Sequence, residues 1–138
     1  MDKALNYLAL ARKGGMAELG EEPVGAAARA GKAYVILVAS DAGDHTWRRA
    51  KAFAAGTDQQ AIRLPYTKDE MGMATGRSSL AIAAITDAAL ALALVRSLPE
   101  QAAFQEAAAV LEQKVARQKQ RHKEAAAHKK NVRSGKKK

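Results

Sequence analysis

The chain has 138 residues, enough for one domain with a substantial core and too few for two ordinary ones. It contains no cysteine, which excludes a disulfide-stapled secreted fold and any thiolate metal site. The net charge of +9 is segregated: residues 1–111 carry twelve basic and twelve acidic side chains, whereas 112–138 carry eleven basic against two acidic.

In chain order, Leu5, Leu8 and Ala9 recur at helical spacing, predicting an amphipathic helix from Asp2 to about Lys13, stopped by Gly14-Gly15. Met16 to Leu19 has room only for a short strand. Gly20-Glu21-Glu22-Pro23 is a helix start, with acids near the positive end of the helix dipole and a proline in the first turn, and Gly31 closes that helix. Tyr34 to Ala39 is an uninterrupted apolar run suited to a strand covered on both faces. Asp41 to Asp44 is expected to cap a helix from Thr46 to about Ala55, and Ile62-Arg63-Leu64 to form a short strand before Pro65. Thr67 and Glu70 have the spacing of a capping box, with Gly76 ending the short helix behind it. Leu80 to Ile85 is a second buried strand, and Thr86-Asp87 caps an Ala- and Leu-rich helix that ends before Pro99.

Strands alternating with helices predict an α/β domain with its sheet between helix layers. Beyond Pro99, Phe104, Ala108, Leu111 and Val115 form an apolar stripe that can dock on the body or on a partner. After Val115 the same face meets Gln118 and His122, so the helix is expected to project into solvent, with Lys129 to Lys138 unstructured when free. The apolar stretch Tyr7 to Ala11 is too short for a secretory segment, and Leu80 to Val95 is interrupted by Thr86-Asp87. A cytoplasmic protein with no membrane partner is the expectation.

Catalytic constellations are not evident. His122 and His128 are six apart, the wrong spacing for a shared metal on a helix, and His45 stands alone. No serine sits in a nucleophile elbow and no carboxylate pair suggests acid/base work. Gly76-Arg77-Ser78-Ser79 can touch a phosphate, although a plain helix-to-strand connection is the simpler explanation. Trp47, beside Arg48, Arg49 and Lys51, is either a stacking platform or a cover for the core. Neither a cofactor nor a metal is called for. The basic end attracts a polyanion; a merely solubilising end is the plainer alternative.

Three stretches in order carry a resemblance: Leu10-Ala11-Arg12-Lys13-Gly14-Gly15; Gly31-Lys32-Ala33-Tyr34 through Ser40-Asp41; and Met71-Gly72-Met73-Ala74-Thr75-Gly76-Arg77 leading to Ala81 through Asp87. Over roughly Ala4 to Leu98 the chain resembles the L7Ae/L30e-type ribosomal protein family, most of all its small bacterial branch. That resemblance implies a three-layer α/β/α sandwich with a mixed four-stranded sheet, here followed by a C-terminal helical extension. It also implies no catalysis and binding to structured RNA, often a kink-turn. The family grips RNA with the N-terminus of the helix after the first strand and the loop before the last strand, here Gly20 to Ala26 and Gly76 to Leu80. Where the family carries Gly-x-Asn-Glu-x-x-Lys, this chain has Gly20-Glu21-Glu22-Pro23-Val24-Gly25-Ala26. Only the glycine matches. Glu22, Pro23 and Ala26 each remove an RNA contact, and the sequence leaves open whether kink-turn recognition survives them.

The leading expectation is therefore a non-enzymatic RNA-binding protein of the ribosome or translation machinery, with rRNA as a candidate RNA. An RNA-binding domain spans 1–98 and a basic, helical to unstructured tail spans 99–138. Candidate contacts on the body are Lys13, Gly20, Glu21, Glu22, Lys32, Arg77, Ser78 and Ser79. On the tail they are Lys114, Arg117, Lys119, Arg121, Lys123, Lys129, Lys130 and Arg133. The alternative is a protein-interaction module that anchors Phe104, Leu111 and Val115 in a partner's groove. DNA in place of RNA and the oligomeric state are left open.

Overall fold

In the computed structural model, which describes backbone residues 2–136 and side chains through residue 127, helices and short strands alternate. Helix α1 (Lys3–Lys13) buries Ala4, Leu5, Leu8 and Ala11 on one face and ends where Gly14-Gly15 turns the chain. Strand β1 (Ala17–Leu19), helix α2 (Glu21–Arg29), strand β2 (Val35–Val38) and helix α3 (Asp44–Ala54) follow. Strand β3 (Gln60–Arg63), helix α4 (Lys68–Thr75), strand β4 (Ile82–Ile85) and helix α5 (Ala88–Arg96) come next. A 3-10 turn (Gln101–Phe104) then leads into helix α6 (Gln105–Lys136).

The strands make one mixed four-stranded sheet of order β1-β4-β2-β3. Strand β4 is antiparallel to β1 and β2, and β2 is parallel to β3. Every residue of β2 and β4 is buried, because helices cover both faces of the two central strands. Helices α1, α4 and α5 pack together on one side, α2 and α3 on the other, giving a three-layer α/β/α sandwich with a C-terminal helical extension. Successive residues of a strand face opposite sides, and the small Ala83 and Ala84 of β4 let α5 and α2 lie close on each side.

Local signals act as their chemistry dictates. The Thr67 hydroxyl accepts from the Glu70 amide and the Glu70 carboxylate accepts from the Thr67 amide, a complete capping box, and Gly76 ends α4 with φ of 75°. Asp87 caps α5 by accepting from the Leu90 amide at 2.9 Å. Buried Gln59 ties α2 to the start of β3: its carbonyl oxygen accepts from the Ala33 amide at 2.9 Å and its amide donates to the Ala28 carbonyl at 3.1 Å.

Elsewhere the structure departs from expectation. Helix α3 begins at Asp44 with Gly43 as its N-cap and no side-chain cap; the Asp41 carboxylate reaches instead to the Lys68 amide, 2.8 Å away, and joins the α3 entry to α4. Strand β3 starts at Gln60, and β4 is shorter than the apolar run because the Leu80 amide turns aside to the Lys68 carbonyl. Backbone helix continues through Lys136 where an unstructured end was expected from Lys129, and residues 137 and 138 lie outside the described residues. Among the described residues no helix is long and apolar enough to cross a membrane.

The division at Leu98 does not separate core from appendage. Ala107 and Leu111, on α6, are 4% and 1% exposed, and Phe104, Ala108 and Val115 pack against the same core. Burying these side chains on α5, at about 1.5–3 kcal/mol for a fully covered leucine, fastens the first turns of α6. Arg96–Glu112 and Lys114–Asp58 ion pairs flank the seam. The stripe available to a partner's groove in the alternative reading is thus occupied within the chain.

Candidate nucleic-acid interface

The sheet has two ends, and the sequence-derived contacts divide between them. Gly20 follows β1 and donates its amide to the Ile82 carbonyl at 3.0 Å, while Tyr34, just before β2, donates to the Ile85 carbonyl at the opposite end of β4.

At the Gly20 end, α2 starts without a side-chain cap because its N-cap is Gly20, with φ of 97°. Proline at position 23 has no N–H, so the amides of Glu21 and Glu22 are the first-turn donors without an intrahelical partner. The connection from α4 to β4 runs beside them. A Cβ on Gly20 would lie 3.7 Å from the Arg77 guanidinium, and one on Gly76 would lie 3.7 Å from that of Arg12. Arg77 thereby stands at the positive end of α2, an arrangement that attracts phosphate, while Arg12 lies against Gly76, the C-terminal cap of α4 and the start of the same loop.

Gly72 sets the height of this connection. A Cβ there would meet the Arg77 carbonyl oxygen at 2.7 Å and the Ser79 amide nitrogen at 2.8 Å. The loop backbone therefore rests directly on α4, pinned by the Arg77 amide donating to the Gly72 carbonyl at 2.8 Å. Arg77, Ser78 and Ser79 are all exposed beyond it. The acids opposite are less repulsive than their sequence implies. Glu21 pairs with Arg49 at 2.5 Å, and the Arg49 guanidinium lies over the Phe53 ring at 5.3 Å. Glu22 is exposed.

Lys32 does not join this cluster. It precedes β2 at the Tyr34 end, lining a cavity of about 420 Å³ with Glu18, Pro23, Ala26 and Thr86. Lys13 is exposed at the end of α1; its neighbour Arg12 is the residue that reaches the loop. Trp47 is half-buried against the core, with the Arg63 and Lys51 cations 5.0 and 5.6 Å from its ring centre. It also lines an open cavity of about 450 Å³ with Arg63, Pro65, Pro99 and Phe104.

Along α6, Lys114 is an anchor more than a free cation, because the Asp58 carboxylate pairs with it. That pairing holds the Asp58 carboxyl below the usual carboxylate range, through the Lys114 hydrogen bond first and its charge and that of Arg117 after. Arg117, Lys119, Arg121 and Lys123 are exposed. The side chains of Lys129, Lys130 and Arg133 lie outside the described residues. Sequence reasoning missed Arg12, Tyr34 and Asp58 as members of these two ends. Arg12 and Tyr34 sat within the first and second family-like stretches; nothing local marked Asp58.

Solved structures share this architecture, among them one from Bacillus halodurans C and one from Giardia lamblia. A protein with unknown function from Bacillus halodurans C matches with a TM-score of 0.61 and 22% identity, over 81% of this chain and 99% of that one. The Giardia lamblia 15.5kD RNA binding protein matches with a TM-score of 0.54 and 15% identity, over 79% of this chain and 82% of that one. At these identities the likeness establishes a common fold. No protein-family model and no curated protein matches the sequence.

Proposed function

We propose that this chain is a non-enzymatic RNA-binding protein of the ribosome or translation machinery, acting in the cytoplasm on structured RNA such as rRNA. The observation that carries the reading is the Arg77 guanidinium beside Gly20 at the uncapped N-terminus of α2, with Arg12 against Gly76 at the start of the same loop. A Giardia lamblia protein of the same fold is described as RNA-binding, which supports the assignment. So does the family resemblance, whose RNA grip falls on these same two segments. With Glu22, Pro23 and Ala26 in place of the family's polar contacts, the notch offers amides and guanidiniums and few groups suited to base edges. It therefore fits a sharply bent or bulged phosphate backbone better than a particular base pair. The exposed cations of α6 add sequence-independent attraction.

The test compares an RNA hairpin containing an internal bulge with an uninterrupted duplex of equal charge. The wild-type chain is expected to prefer the bulged RNA, and Arg12→Gln/Arg77→Gln to remove the preference and lower the salt slope by about two. A wild-type chain that binds RNA no better than a neutral polymer at low ionic strength overturns the proposal.

A further inference from the structure

The first exposed turns of α6 are not a free arm. Leu111 is 1% exposed in the core, and the Arg96–Glu112 and Lys114–Asp58 ion pairs fasten the helix on either side of it. One turn further, the face that docked through Leu111 continues as Lys114, Arg117, Gln118 and Arg121, spaced three to four residues apart and so stacked on one side of the helix. These four residues and Tyr34 line a single cavity of about 110 Å³.

We propose that this cavity is a second nucleotide-binding site, taking one unpaired nucleotide of an RNA strand with its base against the Tyr34 ring and its phosphate on Arg117 and Arg121. The inference rests on the RNA-binding reading above. Each component has a separate reason to be there. Tyr34 is half-buried and packed on the core, so its ring is already oriented and little rotamer freedom is lost on stacking. Lys114 is neutralised by Asp58, whereas Arg117 and Arg121 make no hydrogen bond or salt bridge among the described residues. Gln118, half-buried beside them, carries both a donor and an acceptor that can meet a base edge. An acidic peptide would use the guanidiniums and leave the ring idle; a nucleotide uses both. Tyr34 and the Gly20 notch stand at the two ends of β4, beside Ile85 and Ile82 respectively, about 10 Å apart along the strand at the usual rise. One bound RNA can therefore touch both, with a single-stranded segment extending from the structured one.

The full-length chain is titrated with a short oligouridine, with an abasic strand of the same length and charge, and with polyglutamate as competitor. Tyr34→Leu, which keeps apolar bulk, is expected to weaken oligouridine binding about tenfold and to leave abasic-strand binding unchanged. Tyr34→Phe should restore wild-type affinity. Arg117→Gln/Arg121→Gln should weaken both strands and reduce the single-strand salt slope by about 1.4. Equal losses on both strands in Tyr34→Leu, no loss on either, or competition by polyglutamate as effective as by oligouridine would each overturn the site. If only the Arg12→Gln/Arg77→Gln variant loses binding, this inference falls and the RNA-binding reading stands; if the wild-type chain binds no RNA, both fall.

Discussion

At the Gly20 end of the sheet, charge is placed by backbone packing: Gly72 lets a loop lie on α4, with Arg77 beside the start of α2 and Arg12 beside Gly76 at the end of α4. At the Tyr34 end it is placed by a helix that an apolar stripe and two ion pairs hold down, after which exposed cations follow one another along α6. The first arrangement is sensitive to a single methyl group and rests on the position of a few particular cations. The second, away from Tyr34, tolerates side-chain changes that keep the number of charges. Position and attraction are thus separable in this molecule, and each can be removed while the other is kept.

The largest expected effect comes from the charge-dependent end. Deleting residues 119–138 leaves the docked segment through Gln118 in place and removes cations for about five phosphates. The slope of log K against log salt should become shallower by about four, with thermal stability almost unchanged. A truncated chain that keeps the full slope would show that the attraction resides in the body, and the contrast between the ends would be lost.

Next in size is Gly72→Ala, which alters no charge. Its new methyl would overlap the Arg77 carbonyl and the Ser79 amide, and overpacking of this kind costs about 1–3 kcal/mol. The melting temperature should fall, and the preference for bulged RNA should fall with it while the salt slope holds. A variant that is as stable and as selective as the parent would mean that the loop's height above α4 does not set the position of Arg77. Thr67→Ala probes the same support more gently. Loss of the capping box should cost about 1 kcal/mol, measured by denaturant unfolding, with a smaller loss of RNA preference than Gly72→Ala produces.

These cases also show what a sequence makes legible. The capping box needs only Thr67 and Glu70, three residues apart, and the end of α4 needs only a glycine able to take positive φ; both can be read locally. Buried runs such as Val35–Val38 announce central strands, whereas β3, at the sheet edge, opens with Gln60 and Ala61 and has no such run to announce it. Arg12 against Gly76, Glu21 with Arg49 and Asp58 with Lys114 join residues 64, 28 and 56 positions apart, so tertiary packing alone selects them. The reading of α6 stopped at Val115 because Gln118 counts as polar. Long polar side chains still cover an aromatic neighbour with their methylene stems, and the contact with the body runs one turn further than the apolar pattern.

The smallest effect is the sharpest test of the contrast, since its two readouts move in opposite directions. Asp58→Asn removes the carboxylate that neutralises Lys114. Asp58 is largely exposed, so the pair is worth only about 0.2–1 kcal/mol. Because the folded state lowers the Asp58 pKa, that contribution is present above the unfolded carboxylate range and is lost as pH falls through the folded value. Wild type and Asp58→Asn should therefore differ slightly in stability at neutral pH and converge in acid. RNA affinity should rise in the variant, because one buried-side cation is released to the Tyr34 end and the net charge increases by one. The added salt slope should be at most about 0.9, and the loop end, anchored elsewhere, should keep its preference for bulged RNA. A variant that lost both stability and affinity would mean that Lys114 acts on RNA only through holding α6 in place, and that charge and position are coupled at this end as well.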